Sequence, residues 1–505
     1  MAKDLDQTET IAFLERPATH GGIAPHRIDT SCAFVFLAGD FAYKMKRAVD
    51  LGYLDFSTLE GREAACRAEM TLNRRTAPEL YLRLAHVTRA ANGSLALDGD
   101  GPAVEPVVVM KRFPDDALGT TALAAGRIER AQIADLGRRL KAYHGECPVP
   151  PLPPAPMTAR LAPCRVPLRA MAPDIPAWRI EGLLARLAPH FEAADRLMPA
   201  RAAQGFWRRG HGDLHLGNIC LIDGRLVPFD ALEFDDDFAT ADVLYDLAFL
   251  AMDLRRLGRG DLALALFDAY GDVGPGGAAV MPGFMALRAS IRAFVAHARW
   301  QATGGPAPVE EMSGFLDTAE DALAETRPRV LAVGGLSGTG KSTLARALAP
   351  RLGPVPGALH LRTDVIRKAM HGIAETDPLP ADAYGPGKSE AVYAALFEAG
   401  AAGFAAGRSV ILDGVFAHEA ERAAARAIAP DAFTGLWLEA PLSLRQQRIE
   451  GRRGDASDAT PAVAAKQEGY DLGTLDWSRL AAGGPLDALV AAALAISGHE
   501  DGGAL

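Results

Sequence analysis

Hydrophobic positions along the chain fall into two differently built stretches. Near the start, two apolar runs, residues 33–37 and 41–46, flank Gly39 and Asp40, a pair suited to a tight turn, and predict a β-hairpin. Residues 58–75 carry Glu, Arg, Ala and Leu at helical spacing, and 107–112 is a short apolar run that predicts a buried strand. Together these predict a small β-rich lobe with one helix. Residues 128–144 predict a further helix. Ten prolines then fall between Pro148 and Pro176, where neither a helix interior nor a central strand absorbs them, so a long surface loop or an insertion is expected. A helix over 180–198 and mainly helical segments to residue 322 predict a helical second lobe.

Around residues 326–329 the pattern changes. A compact apolar strand, 330–333, runs directly into a glycine-rich turn, and strand-like and helical segments then alternate: 358–361 with 364–371, 389–406 with 409–412, and 435–438 with 442–451. Alternation of this kind predicts a parallel α/β sheet. Two domains are therefore expected, 1–325 and 326–505, a division that suits 505 residues at roughly 100–200 residues per domain. No internal repeat joins the halves.

Composition narrows the function classes. The 53 basic and 63 acidic side chains leave a net charge of −10, with 49% hydrophobic residues, a globular balance that excludes disorder as the main state. There is no overall basic footprint for nucleic acid or an anionic membrane. The five cysteines, Cys32, Cys66, Cys147, Cys164 and Cys220, are scattered and never in a C-x-x-C spacing, so neither a disulfide framework nor a zinc knuckle is expected. Asp4, Asp6 and Glu9 stand where a signal peptide needs an apolar core. The apolar runs 489–496 and 244–254 are too short to span a bilayer, and the second carries Asp246 and Asp253. A cytoplasmic protein is expected.

Two constellations carry chemistry. In His211-Gly212-Asp213-Leu214-His215-Leu216-Gly217-Asn218 an Asp and an Asn stand five residues apart. In kinase-type catalytic loops that spacing lets the Asp orient an acceptor hydroxyl while the Asn holds magnesium. The strand-like runs 219–222 and 225–229 are separated by Asp223-Gly224, a type I′ hairpin signal. A tight hairpin brings its ends together, so Asn218 at the entry and Asp230 at the exit are expected side by side, as oxygen ligands for a hard cation bridging ATP phosphates.

The run H-G-D-L-H-x-G-N followed by Phe229-Asp230 resembles the aminoglycoside phosphotransferase family, protein-kinase-like enzymes acting on small hydroxyl compounds, over residues 25–320. The resemblance implies that Asp213 is the catalytic carboxylate, that Lys44 contacts the α/β phosphates and that Glu69 pairs with that lysine. Strand alternation puts Lys44 and Lys46 on one face, so either lysine qualifies, and Glu63 rivals Glu69. The segment 242–250 resembles the family's helix after the metal loop, with Asp246 structural. No G-x-G-x-x-G loop precedes Lys44.

Gly335-Leu336-Ser337-Gly338-Thr339-Gly340-Lys341-Ser342 is a complete G-x-x-x-x-G-K-[ST] phosphate loop between a strand and a helix starting near Thr343. Its glycines let backbone N–H groups approach phosphates, Lys341 reaches the β/γ phosphates and Ser342 ligates magnesium. Asp413 ends a Val-Ile-Leu strand in a Walker-B-like position, facing the ligand crevice. Asp364 follows a strand expected beside the phosphate-loop strand, and Arg367 stands three residues on, along the same helical face. Arg445, Arg448 and Arg452 predict a basic stripe able to close over a triphosphate, or else a solvated face paired with Glu439 and Glu450.

This second stretch resembles small P-loop kinases of the zeta-toxin, gluconate-kinase and polynucleotide-kinase kind over residues 329–480. By that resemblance Asp364, in Thr363-Asp364-Val365-Ile366-Arg367-Lys368, activates an acceptor hydroxyl, Arg367 holds the substrate, and residues 452–459 form a lid. The two stretches in this order resemble a family described as bifunctional aminoglycoside phosphotransferase/ATP-binding proteins. The expectation is an α/β and α+β chain: a protein-kinase-like bilobal domain and a P-loop NTPase domain, each binding ATP with Mg2+ and phosphorylating a small-molecule hydroxyl. A protein in which one half is a non-catalytic nucleotide sensor gating the other is the alternative.

Overall fold

The computed structural model describes residues 6–50, 54–150, 154–385, 387–453 and 455–498. By packing, the chain divides into two compact units. One comprises Met1–Ala155, Met198–Asp253 and Ala269–Gly271, the other Pro156–Leu197, Leu254–Asp268 and Asp272–Leu505.

The first unit holds a six-stranded antiparallel sheet built from β1 (His26–Asp29), β2 (Ala33–Ala38), β3 (Phe41–Lys46), β4 (Tyr81–Arg89), β5 (Leu95–Leu97) and β6 (Ala103–Lys111), in the order β1-β2-β3-β6-β4-β5. β2 and β3 close through the expected two-residue turn, with Ala38 opposite Phe41 and Gly39 left-handed at φ 55°. The helix Leu59–Asn73 begins at Thr58, whose hydroxyl accepts from the Gly61 N–H at 3.1 Å. It lays Cys66 and Met70 on Ala42, Val108 and Met110. β1, β4 and β5 were not anticipated. β4 mixes Arg83 and His86 into its run and slips register between Tyr81 and Arg83, which hides the alternation. Beyond the sheet, β7 (Trp207–Arg209) pairs with β10 (Thr240–Asp242), and β8 (Ile219–Ile222) with β9 (Arg225–Pro228). Asp223 and Gly224 are both left-handed, at φ 47° and 77°, as a type I′ turn requires.

In the second unit the proline-rich segment corrects the sequence expectation. Two short helices, Thr158–Leu161 and Arg165–Ala170, interrupt it, and Met157, Leu161, Leu168 and Met171 are buried. Pro167 sits in the first turn of its helix, where the missing N–H costs no intrahelical bond. Residues 151–153 of that segment lie outside the described residues, as do residue 454 of the expected lid and the tail 499–505. The stretch Gly277–Gln301 is a helix long and apolar enough to cross a membrane by length and composition, and most of it is buried inside the fold. Arg288 and Arg292 interrupt its apolar run.

The same unit contains a wholly parallel sheet of β11 (Val330–Gly335), β12 (Leu359–Arg362), β13 (Val410–Asp413), β14 (Phe433–Glu439) and β15 (Ser478–Ala481), in the order β12-β13-β11-β14-β15. Val330, Leu331, Ala332 and Val333 are buried throughout, as a central strand covered on both faces demands. This order corrects one expectation. The strand beside the phosphate-loop strand is β13, ending in Asp413, while the strand leading to Asp364 lies one place farther out. Chain order does not reveal spatial order in a crossover sheet.

Candidate functional site

The first centre forms where β3, the helix Leu59–Asn73 and the 210–218 loop converge. Lys44 Nζ lies 2.8 Å from Glu69 Oε1 and 2.5 Å from Asp230 Oδ1. Burial alone would depress the Lys44 ammonium, but the Asp230 and Glu69 carboxylates hold its pKa well above the usual lysine value. Desolvation would raise both carboxylates, and the lysines beside them bring Asp230 and Glu69 below their ordinary values instead. Glu69 is fully buried, whereas Glu63 turns away to His86 and Arg67. Lys46 reaches Glu69 as well, so the two lysines share one carboxylate.

Asn218 and Asp230 stand at the two ends of the β8–β9 hairpin, and the Phe229 N–H donates to Asn218 O at 2.9 Å. Asn218 Nδ2 donates to Asp213 Oδ2 at 2.8 Å and to the Asp213 carbonyl at 3.0 Å. That pair locks the loop and leaves the single amide oxygen of Asn218, Oδ1, turned away from Asp213. Asp230 takes φ 61°, a conformation Asp tolerates better than most residues. Its N–H donates to Tyr81 Oη at 3.1 Å, and the Ala231 N–H to Asn73 Oδ1 at 2.8 Å.

The loop itself is held from below by one helix. Asp246 accepts the His211 and Gly212 N–H groups at 2.6 and 2.9 Å, and Asp253 accepts the Leu216 N–H at 3.1 Å. Gly210 has no room for a side chain: a Cβ there would stand 2.2 Å from Asp246 Oδ2. His211 is buried with neither ring nitrogen hydrogen-bonded, and burial lowers its pKa, which favours the neutral ring. Asp253 was missed in the sequence. Its signal was the seven-residue spacing from Asp246, two turns along one face of Val243–Arg256.

The second centre is the phosphate loop. Gly335, Gly338 and Gly340 are left-handed, at φ 140°, 85° and 96°, and a Cβ on Gly338 would meet the Arg445 carbonyl at 2.5 Å. The Thr339 hydroxyl and Lys341 Nζ both donate to the Leu336 carbonyl, at 2.8 and 3.1 Å, and the Ser337 N–H donates to Gln467 Oε1 at 2.7 Å. Burial depresses the Lys341 ammonium, against the pull of Asp413 and Asp364. Ser342 and Thr343 lie in the first turn of the helix Lys341–Leu348. Asp413 faces His360 Nε2 at 3.1 Å and Arg362 Nε at 3.6 Å. Desolvation opposes its ionisation, but His360, Lys341 and Ser342 hold its pKa below the usual value. Asp364 goes the other way, raised by burial and by the charge of Asp413. Two neighbouring carboxylates with pKa values pushed apart suit different tasks.

The arginine stripe is not one surface. Arg445 is buried against Glu468 and the Ser337 carbonyl, and Arg448 donates to the carbonyls of Thr339 and Ala482 at 3.1 and 2.8 Å. Both brace the phosphate loop from behind. Arg452 lies past the end of the helix Leu442–Glu450, with a buried Nη1 that has no hydrogen-bond partner. Arg367 is buried, donating to the Ala383 carbonyl at 3.0 Å with its guanidinium 5.0 Å from the Tyr384 ring centre. The expected lid is latched: Asp455 pairs with Arg362 at 2.9 Å, and Asp458 with Lys368 at 3.2 Å and with the Tyr384 hydroxyl.

The residues at both centres suit magnesium with a nucleotide. Oxygen donors are few at each, Asn218 and Asp230 at one, Ser342 and Asp413 at the other, and no group of three or more His, Cys, Asp or Glu forms a cage among the described residues. Magnesium is commonly held by one or two protein oxygens while phosphates and water supply the rest.

The sequence model of the phosphotransferase enzyme family matches residues 59–283, and that of an AAA domain matches residues 330–470. Uncharacterized proteins of Mycobacterium tuberculosis and Mycobacterium bovis are each 32% identical over 466 residues, covering 88% of this chain and 90% of theirs. Among solved structures, a choline/ethanolamine kinase family protein from Mesorhizobium loti is 17% identical, with a TM-score of 0.40, over 63% of this chain and 94% of its own. A gluconokinase from Sinorhizobium meliloti is 24% identical, with a TM-score of 0.26, over 34% of this chain and 94% of its own. The two family matches make the chain a phosphotransferase. It belongs to the same family as the mycobacterial proteins, and within it carries a kinase-like phosphotransferase domain followed by a P-loop kinase domain.

Proposed function

We propose that each half binds Mg-ATP and transfers the γ-phosphoryl group to a hydroxyl of a small molecule, with the functional cut at residues 325/326. One observation carries most weight. Lys44, Glu69 and Asp230 meet within 2.8 Å although Lys44 and Asp230 are 186 positions apart, with Asp213 and Asn218 hydrogen-bonded at the other end of the hairpin. A phosphate-side cation and an acceptor-side carboxylate thus converge, which phosphoryl transfer chiefly needs.

In the first half Asp213 orients the acceptor hydroxyl and takes its proton, while Asn218 and Asp230 offer oxygens to the cation and Lys44 contacts phosphate. In the second half Asp364 is the acceptor-side base, its raised pKa making it the better proton acceptor of the two carboxylates. Lys341 and the loop N–H groups hold phosphate, Ser342 and Asp413 hold the cation, and Arg367 and Arg452 line the acceptor and phosphate sides. Magnesium, when bound, neutralises phosphate charge.

The test uses γ-labelled ATP, a metabolite extract and the full chain, with mass identification of labelled products. Asp213→Asn and Asp364→Asn variants should each lose a distinct product. Products unaffected by either change would refute the assignment.

A further inference from the structure

We propose that Lys46 and Glu233 form a second positioning pair, holding Glu69 and the Asp230 loop in place when Lys44 turns to phosphate; this rests on reading the first half as an Mg-ATP site. β3 sets Lys44 and Lys46 two residues apart on one face. Both ammonium groups meet the same carboxylate, from opposite oxygens: Lys44 Nζ lies 2.8 Å from Glu69 Oε1, and Lys46 Nζ 2.6 Å from Oε2. The second approach is off the hydrogen-bond direction and is an ion pair. Lys46 also donates to Glu233 Oε1. Its side chain is 1% exposed, against 12% for Lys44. Its ammonium stands 5.5 Å from the centre of the Phe56 ring.

Those exposures divide the labour. Lys46 could serve an incoming phosphate only by abandoning two buried carboxylates, a costly exchange. Lys44, at the rim and shared between Glu69 and Asp230, can move. Were Lys44 the sole cation on Glu69, sharing its ammonium with phosphate would leave a fully buried carboxylate undercompensated; Lys46 makes up the difference. Glu233 lies three residues past Asp230, so the same ammonium ties the helix Leu59–Asn73 to the metal-side loop. Burial pushes the Glu233 carboxyl up, and Lys46 is the largest influence opposing it.

The experiment uses the full chain carrying Lys341→Ala, so that the first half is the remaining nucleotide site. A fluorescent ATP analogue is titrated at graded free magnesium, and thermal unfolding is recorded alongside. Lys46→Met should raise the half-saturating magnesium concentration by about tenfold to a hundredfold, the usual cost of removing an outer-shell partner. Lys46→Met/Glu233→Gln removes the stranded carboxylate, so it should recover melting temperature relative to the single variant without recovering magnesium affinity. A double variant with wild-type half-saturating magnesium would reduce the pair to packing and overturn the proposal while leaving the nucleotide site intact. If the Lys341→Ala chain itself binds no magnesium nucleotide, the reading of the first half fails, and the proposal with it.

Discussion

Replacing Asp246 by Asn tests whether the 210–218 loop is suspended from the helix beneath it. The carboxylate accepts two buried N–H groups, from His211 at 2.6 Å and Gly212 at 2.9 Å. An amide of the same shape has one acceptor oxygen, so one N–H keeps a weaker, uncharged bond and the other faces an NH2 group. Losing the charge assistance costs about 1 kcal/mol, and stranding one buried donor costs about 1–3 kcal/mol more. The loop should therefore be less stable by about 2–4 kcal/mol, against about 5–15 kcal/mol for a whole domain. Because the chain has two units, a global melt does not isolate this term. Amide hydrogen exchange of residues 211–218 does, and 2–4 kcal/mol corresponds to exchange faster by roughly thirtyfold to several hundredfold. Transfer by the first half should fall in parallel, while nucleotide binding at the phosphate loop stays unchanged. Exchange within about threefold of wild type, on the same conversion, would show that the loop holds itself and that Asp246 is not its support.

Lys341→Ala should reduce calorimetric binding of a non-hydrolysable ATP analogue from two sites per chain to one; a stoichiometry of one that vanishes in this variant would show that the first half binds no nucleotide. Asp364→Asn should bind Mg-ATP yet transfer no phosphate, whereas Asp413→Asn should lose affinity in a magnesium-dependent way, and the reverse pattern would exchange their roles. The same two variants should shift thermal stability at neutral pH in opposite directions. The folded-state pKa of Asp364 is raised, so its ionised form opposes folding once pH exceeds the unfolded value, and Asn removes that cost. Asp413 is lowered, contributes stability above its unfolded value that is lost as pH falls through the folded one, and its replacement should lower the melting temperature. Gly338→Ala, strained at φ 85° with its Cβ 2.5 Å from the Arg445 carbonyl, should abolish nucleotide binding at the phosphate loop as measured by the same calorimetry.

Features set by neighbouring residues were legible in the sequence. The Asp223-Gly224 turn and the phosphate loop depend on local backbone angles that Gly and Asp readily adopt, so motif and structure agree there. The hairpin alone placed Asn218 beside the exit to Asp230, because a two-residue turn leaves no other register. What only the tertiary structure decided involves partners distant in the chain. Alternation left Lys44 and Lys46 equivalent, and burial depth separated them while giving both to Glu69. Helical spacing made Arg445, Arg448 and Arg452 one stripe, but Glu468 and the carbonyls of Ser337, Thr339 and Ala482 claimed the first two. The proline-rich segment gained buried short helices because Asp195 accepts from the Met157 N–H and the Thr158 hydroxyl. The neighbour of the phosphate-loop strand came from β13, not the next strand in sequence, because parallel strands need crossovers, and a crossover can return to either side of the starting strand.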